Sequence, residues 1–449
     1  MRRKVVDSRV HYRRCQSLFV VTRCLLLPTW LFADSDVDLP AHEGRNITAV
    51  ELAGNRFTHS YVVYRELSTR SGQPLSADSL RADLDRLDNL DIFSSVRVRI
   101  DDEGGAGIRL VLLLRELPPV VPYISYDVTD QDGWSFGPEV KAVNLLGRDV
   151  FLTGNALFGG RTTYLLGFSH PWIAGNHLSV DLDVVGFTRD NELDGFEEES
   201  LEITPRIGTW VGRHGRASVA ASYLRVSADE SGHTLSADDE DVLVRLGGRI
   251  GYDSRDRWSN PLRGWWNELE LWKTGGLLPG DGDYWSARVD LRRYQPITKR
   301  HTLVLASLWS LQSGRVGRDL PSYFDYHLGG ANTIRGYLLG DLGPELHGAN
   351  EWLATLEYRF ALVASREIVL FDLTVDFGLA GAVFADSGIA WDDRDEIELS
   401  RSRSSAGIGL RLLMPAIDMM RLDLAFGASG AQIHFAAYSK LVAQRFRLR

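Results

Sequence analysis

In the last three quarters of the chain, apolar and polar residues alternate in segments of about ten, and helical spacing is absent. In one such segment Leu201 and Ile203 are apolar, whereas Glu202 and Thr204 beside them are polar. An alternation of period two predicts β-strands with one apolar and one polar face. By itself it fits a soluble sandwich with the apolar set inward and also a transmembrane barrel with the apolar set toward lipid and a polar lumen.

Sixteen such segments follow one another from Pro118 to the end of the chain. They lie near 121–128, 134–145, 148–158, 161–169, 177–188, 200–212, 215–227, 241–253, 264–274, 284–295, 300–312, 350–361, 368–384, 404–413, 420–427 and 431–442. An even number of short strands joined by turns is typical of a transmembrane barrel. The strand count does not by itself exclude a sandwich, but the signal peptide, the Trp and Tyr residues near strand ends and the motifs favour a barrel. We predict an all-β barrel of about sixteen antiparallel strands over residues 118–449.

The first residues have the layout of a secretory signal peptide. Residues 1–33 contain several arginines and then a short apolar stretch, Cys24–Ala33, so we expect a signal peptide that is cleaved after Ala33. The apolar stretch is half as long as the roughly 20 residues that a transmembrane helix needs. Both cysteines lie in this segment, and residues 34–43 then form a short linker.

Residues 44–117 have the pattern of a small α+β domain. Ser76 is a suitable N-cap for a helix in which Leu80, Leu84 and Leu87 share one face. The predicted elements are a strand at 46–53, a helix at 58–70, the helix that follows Ser76, and strands at 96–100 and 108–114. The order of elements is thus β-α-α-β-β.

Charge and motifs exclude several classes of function. The formal net charge is −10, which argues against nucleic acid as a partner. The chain lacks the His-Glu-x-x-His and phosphate-binding glycine motifs of common enzymes, and its one Gly-x-Ser-x-Gly match, residues 133–137, lies in an alternating strand segment rather than at the strand-to-helix turn of a catalytic elbow. We therefore expect no enzymatic activity, no catalytic residue, no cofactor and no metal.

One long connection, Ser313–His347, interrupts the alternation. A connection of this length is usually either functional or disordered. Its glycines and tyrosines favour an ordered loop, and Arg335, followed by Gly336 and Tyr337, is a fixed cation that needs a buried partner. Downstream, Asp386 lies in an apolar strand, where an unpaired carboxylate is costly.

Four motifs in a fixed order carry a family resemblance. They are the charged Pro/Gly turn at 252–264, the loop motif at 329–337, the strand motif at 380–388 with Phe384, Asp386 and Gly388, and the strand pair at 405–427 with a proline turn. Together they resemble the barrel of the outer-membrane protein 85 superfamily, which includes BamA- and TamA-like assembly factors. The domain at 44–117 is similar to a polypeptide-transport-associated (POTRA) domain, so the resemblance covers residues 44–449.

The resemblance implies where the loop motif lies. Arg335, with Gly336 and Tyr337, is expected in a loop that folds into the lumen. There it should meet Asp386 at the end of the thirteenth strand, with Glu357 on the twelfth as a second candidate partner. A planar guanidinium suits such bidentate pairing with a carboxylate.

The resemblance also implies a function. We expect an outer-membrane protein with its POTRA domain in the periplasm, acting in the insertion, assembly or translocation of polypeptides. The implied partners are outer-membrane lipids and lipopolysaccharide, unfolded outer-membrane or secreted polypeptides, and accessory periplasmic proteins. The alternatives are a shortened member that serves as a passive channel or anchor, and a two-partner-secretion translocator. Family barrels commonly end in an aromatic residue, whereas here Phe446 is followed by three further residues.

Overall fold

A computed structural model describes residues 38–436, except for 176, 192, 259, 340–346, 371–372, 393–396, 398, 415–416 and 429. The expected signal peptide at 1–33 and the C-terminal segment with Phe446 lie outside the described residues, so both remain predictions. A short 3-10 helix, Leu39–His42, precedes the first domain.

The first domain has the β-α-α-β-β order that the sequence predicts. Its elements are β1 (Ile47–Ala53), α1 (Ser60–Glu66), α2 (Ala77–Asp88), β2 (Phe93–Asp102) and β3 (Ile108–Glu116). The central strand β3 pairs in parallel with β1 and antiparallel with β2. The helices cover one face of this sheet, and their shared core includes Val62, Val63, Leu87 and Leu112. Within the described residues, no helix has the length and apolar character that spanning a membrane would require.

Helix α1 is shorter than the predicted 58–70. It ends at Glu66 because the next residues are held in an extended conformation by the buried carboxylate of Asp83. The backbone N–H groups of Ser68 and Thr69 donate to Asp83 at 3.0 and 2.8 Å. Helix α2 begins as predicted, since the hydroxyl of Ser76 accepts a hydrogen bond from the backbone N–H of Ser79.

Sixteen antiparallel strands form the second part of the structure, which confirms the predicted strand number. They are β4 (Val120–Thr129), β5 (Gly133–Leu145), β6 (Val150–Gly159), β7 (Arg161–Ala174), β8 (Leu178–Asn191), β9 (Phe196–Val211), β10 (Gly215–Ala228), β11 (Glu240–Asp253), β12 (Gly264–Gly275), β13 (Asp283–Thr298), β14 (His301–Gln312), β17 (Asn350–Leu370), β18 (Leu373–Trp391), β19 (Arg403–Met414), β20 (Ile417–Gly427) and β21 (Gly430–Ala436). Two short strands between β14 and β17, β15 (Tyr326–His327) and β16 (His347–Gly348), pair only with each other. Each of the sixteen strands pairs with the next of the sixteen, so β4 and β21 are the two ends of the sheet.

Two strands are longer than the sequence predicts. The predicted segments 350–361 and 368–384 correspond to β17 and β18, which pair with each other from Asn350 opposite Trp391 to Leu370 opposite Leu373. Register shifts next to Val363 break the alternation of polar and apolar residues. The sequence pattern therefore does not predict that β17 continues beyond residue 361. Asp386, which was expected at the end of the thirteenth strand, lies inside β18.

The exposure of the side chains decides between sandwich and barrel. On β9 the apolar residues Ile207 and Val211 are 53% and 60% exposed, whereas Thr204 and Arg206 are almost fully buried. The sheet therefore presents its apolar face outward and keeps its charged face inside, as a transmembrane barrel does. A soluble sandwich would bury the apolar set.

The first domain contacts two of the turns that connect barrel strands, the β5–β6 hairpin and the β11–β12 connection. Asn144 Nδ2 in the β5–β6 hairpin donates to Thr58 Oγ1 at 2.8 Å. In the β11–β12 connection, Asn89 Nδ2 donates to the Asp256 carbonyl at 3.0 Å, and the Trp258 N–H donates to Asn89 Oδ1 at 2.9 Å. The domain is thus fixed to two separate parts of the barrel rim.

Candidate functional site

The long connection between β14 and β17 folds into the inside of the barrel. It contains a short 3-10 helix, Ser322–Phe324, and the first strand of a two-stranded pair, β15 (Tyr326–His327) with β16 (His347–Gly348). Ile334, Arg335 and Tyr337 are all less than 5% exposed. We call residues 329–338 the lumen loop.

The guanidinium of Arg335 makes a two-pronged contact with Asp386 on β18. Arg335 Nε donates to Asp386 Oδ2 and Nη2 donates to Oδ1, both at 2.8 Å. The backbone N–H of Arg335 also donates to Oδ2 at 3.3 Å. Thr355 Oγ1 on β17 donates to Asp386 Oδ1 at 3.0 Å, which orients the carboxylate toward the loop.

Two further carboxylates complete the acidic side of the site. Arg335 Nη1 donates to Glu357 Oε2 on β17 at 3.2 Å and to Asp423 Oδ2 on β20 at 3.1 Å. One loop arginine therefore connects three neighbouring parts of the wall, β17, β18 and β20. The structure brings Arg335 together with both partners named from the sequence, and adds Asp423.

Barrel arginines surround these carboxylates. Arg359 Nε donates to Glu357 Oε1 at 2.6 Å, Arg411 Nη2 donates to Glu357 Oε2 at 2.7 Å, and Arg421 Nη1 donates to Asp423 Oδ2 at 3.2 Å. Charges of both signs alternate through a buried network, in which removal of one partner leaves another unpaired.

Phe384 lies against the opposite side of the loop arginine. The guanidinium carbon of Arg335 is 3.3 Å from the centroid of the Phe384 ring, and this ring is 2% exposed. A desolvated cation over an aromatic face is stabilised by the ring quadrupole. Phe384 therefore belongs to the strand motif and also packs against the side chain of Arg335.

The glycines of the two motifs let the loop and the wall approach closely. A Cβ on Gly336 would lie 2.5 Å from Ser405 Cβ and 2.7 Å from the Gly427 nitrogen. A Cβ on Gly388 would lie 3.2 Å from Ile334 Cδ1 of the loop. Tyr337 closes the turn, since its carbonyl accepts a hydrogen bond from the Gly330 N–H at 2.7 Å.

The first and last strands of the sheet meet at a seam, which we define as the boundary between β4 and β21. On the outer face, the ring of Phe435 lies 6.0 Å from that of Tyr126 and 5.3 Å from that of Trp134. On the inner face, His434 Nδ1 lies 3.2 Å from Asp130 Oδ1 in the β4–β5 turn. The contacts that we describe across the seam are made by side chains.

Several residues of this site were not predicted from the sequence. Asp423 lies on the polar face of an alternating segment, so the alternation could have identified it as lumenal. The same holds for Arg411 and Arg421. Neither His434 nor Asp130 carries a sequence signal that relates it to the lumen loop, because their proximity depends on how the sheet curls.

The comparisons with known proteins agree with this architecture. A family model described as the Omp85 superfamily domain matches residues 144–437, which is most of the barrel. The chain belongs to the Omp85 superfamily. The POTRA model, described as a surface antigen variable number repeat, matches residues 46–116.

Individual relatives are distant in sequence. The outer membrane protein assembly factor BamA of Nitratidesulfovibrio vulgaris is 23% identical over 390 residues, covering 83% of this chain and 47% of the relative. The chain spans about half the length of the curated relatives it matches. The solved structure of Haemophilus ducreyi BamA lacking POTRA domains 1–3 aligns with a TM-score of 0.57 at 16% identity, over 87% of this chain and 83% of that one.

A second solved structure shows the same fold. CdiB from Escherichia coli aligns with a TM-score of 0.53 at 14% identity, over 88% of this chain and 75% of that one. Membership of the Omp85 superfamily, together with the outward apolar face, identifies the chain as an outer-membrane protein with its POTRA domain on the periplasmic side. The POTRA contacts therefore mark the periplasmic rim, and the β4–β5 turn lies at the external end.

Proposed function

We propose that this protein assists the insertion and assembly of polypeptides into the outer membrane, without enzymatic chemistry. The observation that carries the proposal is the seam. Among the described residues, every other neighbouring pair of strands in the sheet is joined by a backbone ladder, whereas β4 and β21 are the two ends of the sheet order. There Phe435 of β21 packs against Tyr126 of β4 and Trp134 of β5.

The strands β4 and β21, which close the barrel, are held together weakly. When they separate, each offers a free strand edge. The backbone N–H and C=O groups of an exposed edge are a template on which another strand can pair. In a bilayer an unpaired edge is costly, so an arriving client strand that satisfies it is strongly favoured. The proposed substrates are therefore unfolded outer-membrane polypeptides that add strands at β4 or β21.

The charge network has a supporting part in this proposal. A barrel that opens at one boundary needs a wall that stays intact elsewhere. Arg335 fastens the lumen loop to β17, β18 and β20 through Glu357, Asp386 and Asp423. We infer that this contact keeps the C-terminal part of the barrel rigid, while the first hairpin moves.

The POTRA domain offers a binding site for client polypeptides on the periplasmic side. Its strand β2 is an edge of the three-stranded sheet, and an extended peptide can add to such an edge through backbone hydrogen bonds. We propose that clients, and accessory periplasmic proteins where present, bind on this side. Outer-membrane lipids and lipopolysaccharide contact the exposed apolar face.

Two alternatives remain to be separated from assembly. A passive channel needs an open lumen, and the lumen loop with its buried arginine network occupies part of it. A translocator would carry a polypeptide through the barrel to the outside, and its fold would be the same.

The test uses liposomes that contain the full protein and an unfolded outer-membrane client. We expect the client to fold into the bilayer several times faster than in protein-free liposomes, judged by its protease-resistant, heat-modifiable form. Transfer of the client across the bilayer without folding would favour translocation. Unchanged folding together with steady ion conductance would overturn the assembly function and favour the channel.

A further inference from the structure

His434 connects the seam to the lumen loop. It lies on β21 with its side chain inward and 4% exposed. One ring nitrogen, Nδ1, faces Asp130 Oδ1 in the β4–β5 turn at 3.2 Å. The other, Nε2, is within hydrogen-bond distance of the backbone carbonyl of Arg335.

The turn and the loop also contact each other directly. The second carboxylate oxygen, Asp130 Oδ2, accepts a hydrogen bond from the backbone N–H of Ala331 at 2.7 Å. Gly330 makes room for this contact, since a Cβ there would lie 2.2 Å from Asp130 Oδ2. Three separate elements, the first hairpin, the last strand and the lumen loop, therefore meet at His434 and Asp130.

The chemistry of the two partners fixes the protonation state that this arrangement needs. A carboxylate oxygen and a backbone carbonyl oxygen only accept hydrogen bonds, so both ring nitrogens of His434 must donate. A neutral imidazole has one N–H and one acceptor nitrogen, whereas the protonated ring has two N–H donors. Both contacts are hydrogen bonds only when His434 is protonated.

Charged groups on every neighbouring element act on this ring. The acidic ones are Asp130 from the β4–β5 turn and Asp423, which is opposite His434 on β20. The basic ones are Arg421 on β20 and the guanidinium of Arg335. Asp423 already accepts hydrogen bonds from both arginines, so Asp130 is the acidic group that contacts the ring directly.

We propose that His434 is a positioning residue. When it is protonated, its two hydrogen bonds hold the external end of the seam to the lumen loop, a contact that we call the clasp. When it is neutral, this end of the seam loosens. This inference rests on the proposed function, in which opening of the seam exposes a strand edge. Closure of the seam is then tied both to pH and to the seating of the lumen loop.

The test measures the distance across the seam directly. Spin labels are attached to Cys at positions 124 and 433 (Ile124→Cys, Ile433→Cys), whose native side chains are 79% and 75% exposed on β4 and β21. Cys15 and Cys24 are replaced by Ser in the full chain. In the parent protein we expect a narrow, short distance at pH 5, and an increase of about fivefold in the open-to-closed ratio at pH 8, the effect of losing one hydrogen bond.

Two variants separate protonation from simple packing. In Asp130→Asn the amide oxygen can still accept from the Ala331 N–H, while the amide NH₂ can donate to a neutral His434 ring. We expect this variant to keep the seam closed at pH 8 and so to lose the pH dependence. In His434→Gln we expect the open population at both pH values, and this variant also reports any contribution from other titrating groups.

The outcomes are distinct for the clasp and for the proposed function. A distance that does not change with pH in the parent, or an Asp130→Asn variant that opens at pH 8 as the parent does, overturns the clasp. Heat-modifiable mobility of each variant confirms that the barrel is folded. Client folding in liposomes is measured separately, so failure of assembly with an intact pH response would reject the proposed function and leave the clasp in place.

Discussion

Arg335 and Asp386 are joined by two parallel hydrogen bonds of 2.8 Å, although 51 residues separate them in the chain. The pair fixes the position of the lumen loop on the wall, since the side chains of both residues are less than 5% exposed. The intact pair contributes little net stability where desolvation offsets the attraction, whereas an orphaned charge is costly. The first prediction rests on this asymmetry.

Substitution of either partner should release the lumen loop. We expect Arg335→Ala to destabilise the seated loop by about 3–5 kcal/mol, because it leaves the buried Asp386 carboxylate without its guanidinium. Asp386→Ala should destabilise the loop less, because Glu357 and Asp423 still accept hydrogen bonds from Arg335. The double variant should cost less than the sum, since the second change removes the orphaned charge. Rates of limited proteolysis within 313–347 measure the effect.

The connection between β14 and β17, which contains the lumen loop, also offers a matched control. Arg318→Ala removes an exposed partner of Asp319, and a solvent-exposed pair of this kind contributes little to stability. Proteolysis of that variant should match the parent. Strict additivity of the Arg335 and Asp386 variants would show that the two side chains do not act as a pair.

Gly336→Ala should displace the lumen loop by overpacking. Its new methyl group would meet Ser405 and the Gly427 backbone, which cannot both withdraw, at a cost of about 1–3 kcal/mol. Gly105→Ala, where a Cβ meets nothing within 4 Å, is the control for an added methyl. Hydrogen exchange of the loop amides should rise in the first variant alone, and equal exchange in both would contradict the close packing.

Asn89→Ala should loosen the POTRA domain from the barrel rim. It removes two hydrogen bonds to the β11–β12 connection, each worth about 0.5–1.5 kcal/mol. Hydrogen exchange at residues 254–258 should increase. Arg81→Ala, on the exposed part of α2, is the control, and a similar increase there would mean that Asn89 does not hold the domain.

The stability of the POTRA domain should depend on pH through Asp85. Burial raises the pKa of Asp85 to about 6, against the opposing effect of nearby Arg257, whereas an unfolded carboxyl titrates near 3.9. The folded protein therefore binds the proton more tightly, and stability falls as the pH rises from about 4 to 6.

Asp85→Asn removes this titration. We expect its POTRA domain to show a flatter stability profile between pH 4 and 7 and to gain on the order of 1 kcal/mol at pH 7, after allowance for screening by water. Thermal unfolding of parent and variant across this range measures the difference. Parallel pH profiles would show that Asp85 does not titrate there.

The sequence was informative where a local pattern carries the structure. Alternation such as Leu201 to Thr204 predicted the number of barrel strands, and the Ser76 cap predicted the start of α2. It failed where a tertiary contact overrides the local pattern. The carboxylate of Asp83, which lies on α2, ends α1. The register shifts beside Val363 interrupt the alternation that would have predicted the C-terminal part of β17.

The same division applies to the site. Arg335 and Asp386 were singled out because a buried charge requires a partner, whereas their pairing and the candidate Glu357 were implied by the family resemblance. The structure brings the three side chains together. The meeting of His434 with Asp130 depends on sequence-distant ends of the sheet, which no local pattern encodes. The roles of these residues in assembly remain proposals.

The central claim is that the seam between β4 and β21 opens while clients are assembled, and a reversible lock tests it most directly. Tyr126→Cys with Phe435→Cys allows a short thiol cross-linker to close the seam, since the native rings lie 6.0 Å apart. Val219→Cys with Ile207→Cys, at paired positions of β10 and β9, is the control cross-link. The account predicts that client folding in liposomes stops on cross-linking the seam, returns when the link is cleaved, and continues in the cross-linked control. Equal folding rates with the seam locked and unlocked would contradict it.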